Sequence, residues 1–122
     1  MKLLIVDDST LMQKSITKFL GQYLSDVEFH VASDGIKGWE MFQEIRPDVM
    51  TIDLLMPKRN GLELLHLLAQ EEHSTRLFVL SADVQRSVHQ EVENLGAIFI
   101  SKPFTLEKAE ELAQLIKEYG VC

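Results

Sequence analysis

Four short runs of apolar residues recur along the chain, each four residues long and each followed by a polar residue. They are Leu3 to Val6, Val49 to Ile52, Leu77 to Leu80 and Ala97 to Ile100. Continuous apolar runs of this length are typical of strands buried on both faces of a parallel sheet. The segment from Glu28 to Ala32 alternates polar and apolar residues instead, which predicts a strand at one edge of the sheet.

Between and after these strands, apolar residues recur every three or four positions, which is the spacing of one helix face. The residues that mark the five predicted helices are Met12, Ile16, Phe19, Leu20 and Tyr23; Ile36, Trp39 and Phe42; Gly61, Leu64, Leu65 and Leu68; Val84, Val88, Val92 and Leu95; and Leu106, Ala109, Leu112, Ala113 and Ile116. Pro47 ends the second helix, Gly96 is expected to follow the fourth as a cap, and Thr105 is expected to cap the fifth. Five strands alternating with five helices predict an α/β fold in which helices cover both faces of a parallel sheet.

Length and charge narrow the classes of protein to which the chain can belong. It has 122 residues, which predicts a single domain over 1–122, and 46% of them are hydrophobic. The 12 Lys and Arg residues against 19 Asp and Glu residues give a formal charge of -7, which repels nucleic-acid phosphates and anionic lipids. Since no apolar run approaches the roughly 20 residues needed to cross a bilayer, we expect neither a nucleic acid nor a membrane as partner. The single cysteine, Cys122, excludes an intramolecular disulfide and favours the cytoplasm.

Polar side chains stand where four of the predicted strands end. Asp7 and Asp8 follow the first strand, Asp53 the third, Ser81 the fourth and Lys102 the fifth. Ligands of open parallel sheets bind beyond these carboxyl ends, where the strand order reverses. Three neighbouring carboxylates repel one another unless a cation lies among them, and oxygen ligands suit Mg²⁺. An aspartate, already ionised at pH 7, can attack phosphorus and form an acyl phosphate, while the serine and the lysine bind the phosphoryl group.

Each of these residues also has a purely structural interpretation. Asp8 or Ser9 could cap the first helix, Ser81 or Asp83 could cap the fourth, and Lys102 could be a solvated lysine. The joint occurrence at four strand ends favours a functional site over these separate explanations. The four histidines are scattered over different elements, which disfavours a histidine metal site.

Taken together, the motifs at the strand ends resemble those of the response-regulator receiver domains of two-component signalling. They are Val6-Asp7-Asp8-Ser9, Asp53-Leu54-Leu55-Met56-Pro57 with Asn60-Gly61, Ser81-Ala82, and Lys102-Pro103-Phe104. The resemblance covers the whole chain and implies a doubly wound (βα)5 flavodoxin-like fold with strand order 2-1-3-4-5. It is nearest in architecture to the stand-alone receivers, of which the chemotaxis regulator is the familiar type.

The resemblance also implies the chemistry of the aspartates. Asp53 is expected to be the phosphoacceptor, and Mg²⁺ the only cofactor. Asp8 is expected to bind the metal directly, Asp7 to act mainly through metal-bound water, and the backbone carbonyl of Leu55 to be a further ligand. A histidine kinase or a histidine phosphotransfer protein is the expected phosphodonor.

The remaining roles concern the response to phosphorylation. Ser81 is expected to be the switch hydroxyl, Lys102 to bind the phosphate and to form a cis peptide with Pro103, and Phe99 to be the switching aromatic residue. A protein target is expected on the face of the fourth helix, the fifth strand and the fifth helix. The chain is expected to catalyse only its own phosphorylation and dephosphorylation.

The sequence departs from the family pattern at two positions on that face. Phe99 stands where tyrosine is frequent, so the ring has no hydroxyl for a partner to bind. The segment from Ala97 to Lys102 is one residue shorter than expected. Near the phosphorylation site, Leu55 and Asp83 flank the motifs, and we hypothesise that apolar Leu55 hinders the attacking water.

Four alternatives to a phosphorylated signalling switch share parts of this pattern. A phosphorelay intermediate would use the same residues. A Mg²⁺-dependent aspartyl phosphohydrolase usually carries a second acid two residues after its nucleophile, where this chain has Leu55. An unphosphorylated adaptor is expected to have lost a key residue, and all are present. A flavin-binding protein of this fold needs hydroxyls and backbone amides after the first strand, where this chain has Asp7 and Asp8.

Overall fold

A computed structural model describes residues 1–54, 61–82 and 85–118 of the chain. The described residues form five strands and five helices in strict alternation. The strands are β1 (Lys2–Val6), β2 (Glu28–Ala32), β3 (Val49–Ile52), β4 (Arg76–Ser81) and β5 (Ala97–Ser101), and the helices are α1 (Thr10–Leu20), α2 (Gly35–Ile45), α3 (Gly61–Ala69), α4 (Arg86–Asn94) and α5 (Leu106–Glu118). None of the helices in these ranges is long and apolar enough to cross a membrane. The predicted alternation is confirmed, and Val84, with which we began the fourth helix, lies outside the described residues.

All five strands are parallel and lie in the order β2-β1-β3-β4-β5, which confirms the predicted topology. β2 lies at an edge, as its alternating sequence predicts. The direction of winding reverses between β1 and β3, so the chain segments that leave these two strands diverge and open a crevice. Val6 is paired with Ile52, which places the residue after β1 beside the residue after β3.

The apolar runs are buried because successive residues of each strand enter two different cores. Leu4 and Val6 pack into the core beneath α2, α3 and α4. Leu3 and Ile5 pack into the core beneath α1 and α5. β1 supplies both cores and carries no polar residue from Leu3 to Val6, so its polar residues begin at the carboxyl edge of the sheet. Trp39 packs against the first core, as expected of a near-core residue.

The residues that cap the helices are largely those that the sequence indicates. The Ser9 hydroxyl accepts a hydrogen bond from the Met12 backbone N–H at 3.2 Å, so Ser9 rather than Asp8 caps α1. The Thr105 hydroxyl accepts one from the backbone N–H of residue 108 at 3.2 Å and caps α5. Gly96 follows α4 with a φ of 88°, in the left-handed region that glycine adopts without strain.

Candidate functional site

Asp7 and Asp8 are neighbours in sequence but differ in environment. The Asp7 side chain is buried and that of Asp8 is exposed. The backbone N–H of Asp7 donates to the Ala32 carbonyl at 3.0 Å, and the Asp7 Oδ1 accepts from the Ser9 N–H at 2.9 Å. The side-chain amide of Gln13 donates to the Asp7 carbonyl at 2.7 Å. These bonds fix Asp7 in one place, whereas Asp8 faces solvent.

Asp53 follows β3 directly and is 7% exposed. Its backbone N–H donates to the Val6 carbonyl at 2.9 Å, which extends the pairing of β3 with β1 by one residue. The N–H of Gly61, at the start of α3, donates to the Leu54 carbonyl at 3.2 Å. The backbone of α3 therefore packs directly on the backbone at Asp53, and this approach requires a residue without a side chain at position 61.

Asp7, Asp8 and Asp53 each offer one carboxylate oxygen to a common point, and these three oxygens lie within 4.8 Å of one another. Oxygen ligands of Mg²⁺ lie about 2.1 Å from the ion, so those on opposite sides of it are roughly 4.2 Å apart. The spacing and the all-oxygen donor set thus fit a small hard cation. The Leu55 carbonyl, the fourth ligand expected from the sequence, lies outside the described residues.

Lys102 supplies positive charge to this cluster. Its Nζ atom lies 3.4 Å from the Asp7 Oδ2 and 3.5 Å from the Asp53 Oδ2, and its side chain is 19% exposed. The Lys102 backbone N–H donates to the Ser81 carbonyl at 2.9 Å, and the peptide bond to Pro103 is cis, as expected. The lysine is therefore anchored through its main chain and contacts two of the three carboxylates through its side chain.

Ser81 is the last residue of β4 and is fully buried. The N-cap of α4 is Gln85, so the interpretation of Ser81 as the cap of the fourth helix is wrong. Asp83, the other candidate cap, lies outside the described residues. The structure brings together Asp7, Asp8, Asp53 and Lys102, and it places Ser81 at the same edge, one backbone hydrogen bond from Lys102.

Phe99 lies in the middle of β5, is half-buried and packs against the core beneath α2, α3 and α4. Its ring stacks on the imidazole of His89 in α4, with ring centroids 3.7 Å apart and ring planes 28° apart. The sequence interpretation grouped His89 with the scattered histidines and missed this contact. The contact depends on how α4 packs against β5, which the sequence does not specify.

Comparison with known proteins identifies the pattern of which this site is part. Residues 3–117 match the family model of the response regulator receiver domain. The chain is 32% identical to the chemotaxis protein CheY of Listeria monocytogenes, over 91% of this chain and 93% of that protein. It is 36% identical to a protein-glutamate methylesterase/protein-glutamine glutaminase of Koribacter versatilis, over 99% of this chain. The alignment covers 36% of that relative, so the chain spans about a third of its length.

Solved structures agree with the same pattern. The response regulator domain of Thermotoga maritima CheB superposes with a TM-score of 0.84 at 30% identity, covering 97% of this chain and 94% of that one. The chemotaxis protein CheY4 of Vibrio cholerae superposes with a TM-score of 0.82 at 26% identity, covering 94% of this chain and 97% of that one. The similarity extends over nearly the whole chain and includes every element that carries a site residue.

Proposed function

Because the chain belongs to the response regulator receiver domain family and is a phosphoacceptor of that family, we propose that Asp53 takes the phosphoryl group from a phosphohistidine of a kinase or phosphotransfer protein. The observation that supports this assignment is the position of Asp53 in the site. Asp53 follows β3 at the switch point, supplies one oxygen of the acidic cluster and lies 3.5 Å from the Lys102 Nζ, and it is more exposed than Asp7, at 7% against 1%.

In the transfer step, a carboxylate oxygen of Asp53 attacks phosphorus and the bond from phosphorus to the histidine nitrogen breaks. The electron pair of that bond remains on the imidazole, and the product is an acyl phosphate. Asp7 and Asp8, together with Asp53, would hold Mg²⁺, which when bound supplies positive charge against the phosphoryl oxygens. Lys102 adds a second positive charge, since its Nζ already lies 3.5 Å from the Asp53 carboxylate.

Two further residues are proposed to convert the modification into a signal. The Ser81 hydroxyl, buried at the end of β4, donates a hydrogen bond to the new phosphoryl oxygens. Phe99, on the neighbouring strand, then turns inward. The face formed by α4, β5 and α5 changes and gains or loses affinity for a target protein.

The pathway is proposed from the relatives. Of the two relatives and two structures compared with this chain, two are named as chemotaxis proteins, one is a methylesterase/glutaminase and one is the response regulator domain of a CheB. We place the chain in chemotaxis signalling in the cytoplasm, as a single receiver domain over 1–122 that turns over no external substrate. The methylesterase activity named for the longer relatives is not assigned to it, because the alignment covers about a third of their length.

The test is the intact mass of the protein after incubation with a small phosphodonor, with and without Mg²⁺. A Mg²⁺-dependent phosphoryl adduct is expected in the native chain and in Asp26→Asn, but not in Asp53→Asn. Asp26 is a matched control because it is exposed and has a φ of 57°, which asparagine also tolerates. No adduct on a folded protein would favour the adaptor alternative, and steady hydrolysis of a phosphoester would favour the phosphohydrolase.

A further inference from the structure

The stack between His89 and Phe99 connects the helix of the target-binding face to the strand that carries the switching aromatic residue. We propose that His89 is a positioning residue that stabilises the orientation of Phe99 seen here, so that phosphorylation of Asp53 has to separate the two rings. This inference rests on the proposed function, since it assumes that Phe99 moves when Asp53 is modified. In this proposal, His89 affects the equilibrium between the resting and the inward orientation of the Phe99 ring.

The geometry of the contact supports this role. Ring centroids 3.7 Å apart and planes 28° apart place the imidazole over one face of the phenyl ring, at van der Waals distance. A ring covered in this way cannot turn about its side-chain torsions unless it gives up the contact. Aromatic pairs of this kind shift a two-state equilibrium by roughly two- to tenfold.

The stack is one of several contacts that hold α4 on the sheet, since Val88, Val92 and Leu95 also meet the core beneath α2, α3 and α4. Among the residues of α4 only Val92 is buried, and the side chain of Gln85 makes no capping hydrogen bond at its N-terminus. On the side away from β5, the Glu91 carboxylate lies 2.7 Å from the His66 Nε2 of α3. The stack is therefore a direct link from α4 to the Phe99 ring of β5, and its loss would free that ring on the side of α4.

Phe99 is also well placed to respond to the phosphorylation site. It is paired with Val79 of β4, two residues before Ser81. Because alternate residues of a strand point to the same face, the phenyl ring and the Ser81 side chain lie on one face of adjacent strands. If Ser81 moves towards a phosphoryl group on Asp53, the space beside the Phe99 ring therefore changes. The Phe99 ring is the one on which His89 stacks.

Proton NMR of the histidine rings tests the proposal, with beryllofluoride and Mg²⁺ as a stable mimic of the phosphoryl group. Protons above the face of a phenyl ring resonate upfield, so the His89 ring signals should lie upfield of those of His66 in the resting protein. They should move towards the His66 positions when beryllofluoride binds. In Phe99→Leu they should lie near the His66 positions in both states.

A binding measurement provides the second readout. His89→Leu removes the imidazole and should raise the affinity for beryllofluoride roughly two- to tenfold, because the resting orientation of Phe99 is no longer favoured. Gln90→Leu is the matched control, since Gln90 is exposed on the same helix and its side-chain amide donates a hydrogen bond to Asn94 at 3.2 Å. This control should keep the native affinity.

The outcomes separate this inference from the proposed function. If amide signals around Asp53 respond to beryllofluoride while the His89 ring signals stay upfield and His89→Leu binds as the native protein does, the role of His89 is refuted and the phosphoacceptor site stands. If His89 is not upfield in the resting protein, the stack does not exist in solution and the inference is wrong. If nothing near Asp53 responds, the proposed function fails and the inference fails with it.

Discussion

Gly61 offers a sharp test of how Asp53, the proposed phosphoacceptor, is positioned. A Cβ atom added at this position would lie 2.1 Å from the Asp53 carbonyl oxygen and 2.7 Å from the Leu54 Cα. Ordinary contacts between such atoms are about 3.5 Å, so the substitution Gly61→Ala requires a backbone movement of about 1 Å. Both nearby atoms belong to the main chain, and no side-chain rotation can relieve the overlap.

The expected magnitude follows from two opposing effects. Alanine is favoured over glycine in a helix by about 1 kcal/mol. Overpacking costs about 1–3 kcal/mol where side chains can adjust, and the backbone contacts of Gly61 place it at the upper end of that range or above. We therefore expect Gly61→Ala to lower the free energy of unfolding by about 2 kcal/mol or more.

Gly38→Ala in α2 is the matched control. Its added Cβ would meet only side-chain atoms, 3.1 Å from the Val6 methyl groups and 3.2 Å from the Leu64 Cδ2. These side-chain atoms have to move by only a few tenths of an ångström. The higher helix propensity of alanine offsets the free energy that this movement costs. The free energy of unfolding of this variant should stay within about 1 kcal/mol of the native value.

Urea unfolding measures both stabilities, and intact mass measures Mg²⁺-dependent phosphorylation of the folded protein. Gly61→Ala should be phosphorylated more slowly than the native chain even where it is fully folded, because the overlap displaces the backbone of Asp53 itself. Gly38→Ala should be phosphorylated normally. Equal stabilities of the two variants, together with native phosphorylation of Gly61→Ala, would refute the reasoning.

Four further predictions concern other contacts of the described residues. The Thr51 hydroxyl is buried without a hydrogen-bond partner in the described part of the chain, so Thr51→Val should raise the free energy of unfolding by about 1 kcal/mol. Thr75→Val should lower it by about 1 kcal/mol in the same urea assay, since that hydroxyl donates to a main-chain carbonyl at 2.6 Å. Lys102→Met leaves two buried aspartates without their countercharge and should cost about 3 kcal/mol in metal-free buffer. Added Mg²⁺ should recover part of this loss in thermal melts, and a greater loss with Mg²⁺ would contradict the metal site. A double-mutant cycle on His66 and Glu91, whose side chains are 51% and 43% exposed and whose Nε2 and Oε2 atoms lie 2.7 Å apart, should give a coupling of at most about 1 kcal/mol.

The strands could be predicted closely from the sequence because each buried run supplies both cores. Their ends differ by a residue, since β4 includes Arg76 and Ser81 through main-chain pairing that does not require apolar side chains. The first helix shows the opposite effect. Tyr23 continues the apolar spacing of α1 and packs against the same core, but the helix ends at Leu20. Burial and helical geometry are separate properties, and periodicity reports only burial.

The grouping of Asp7, Asp8, Asp53 and Lys102 could be predicted because the carboxyl ends of parallel strands lie at one edge of the sheet. The difference between buried Asp7 and exposed Asp8 could not be predicted, because it depends on hydrogen bonds from Ser9 and Gln13 in the next helix. The close approach of Gly61 to Asp53 and the stack of His89 on Phe99 likewise depend on how two elements are oriented. The sequence identifies the chemical groups at the edge, and packing determines which of them are fixed.

The position of Lys102 relates metal binding to phosphorylation. Its single positive charge lies at nearly equal distances from Asp7 and Asp53, 3.4 Å and 3.5 Å. A phosphoryl group on Asp53 adds negative charge on one side and should draw the ammonium away from Asp7, which is 1% exposed and would lose its countercharge. A cation bound at Asp7 and Asp8 compensates for that loss, so metal and phosphoryl group should each strengthen binding of the other. By thermodynamic linkage, the factor by which Mg²⁺ favours the phosphorylated state must equal the factor by which phosphorylation tightens Mg²⁺ binding.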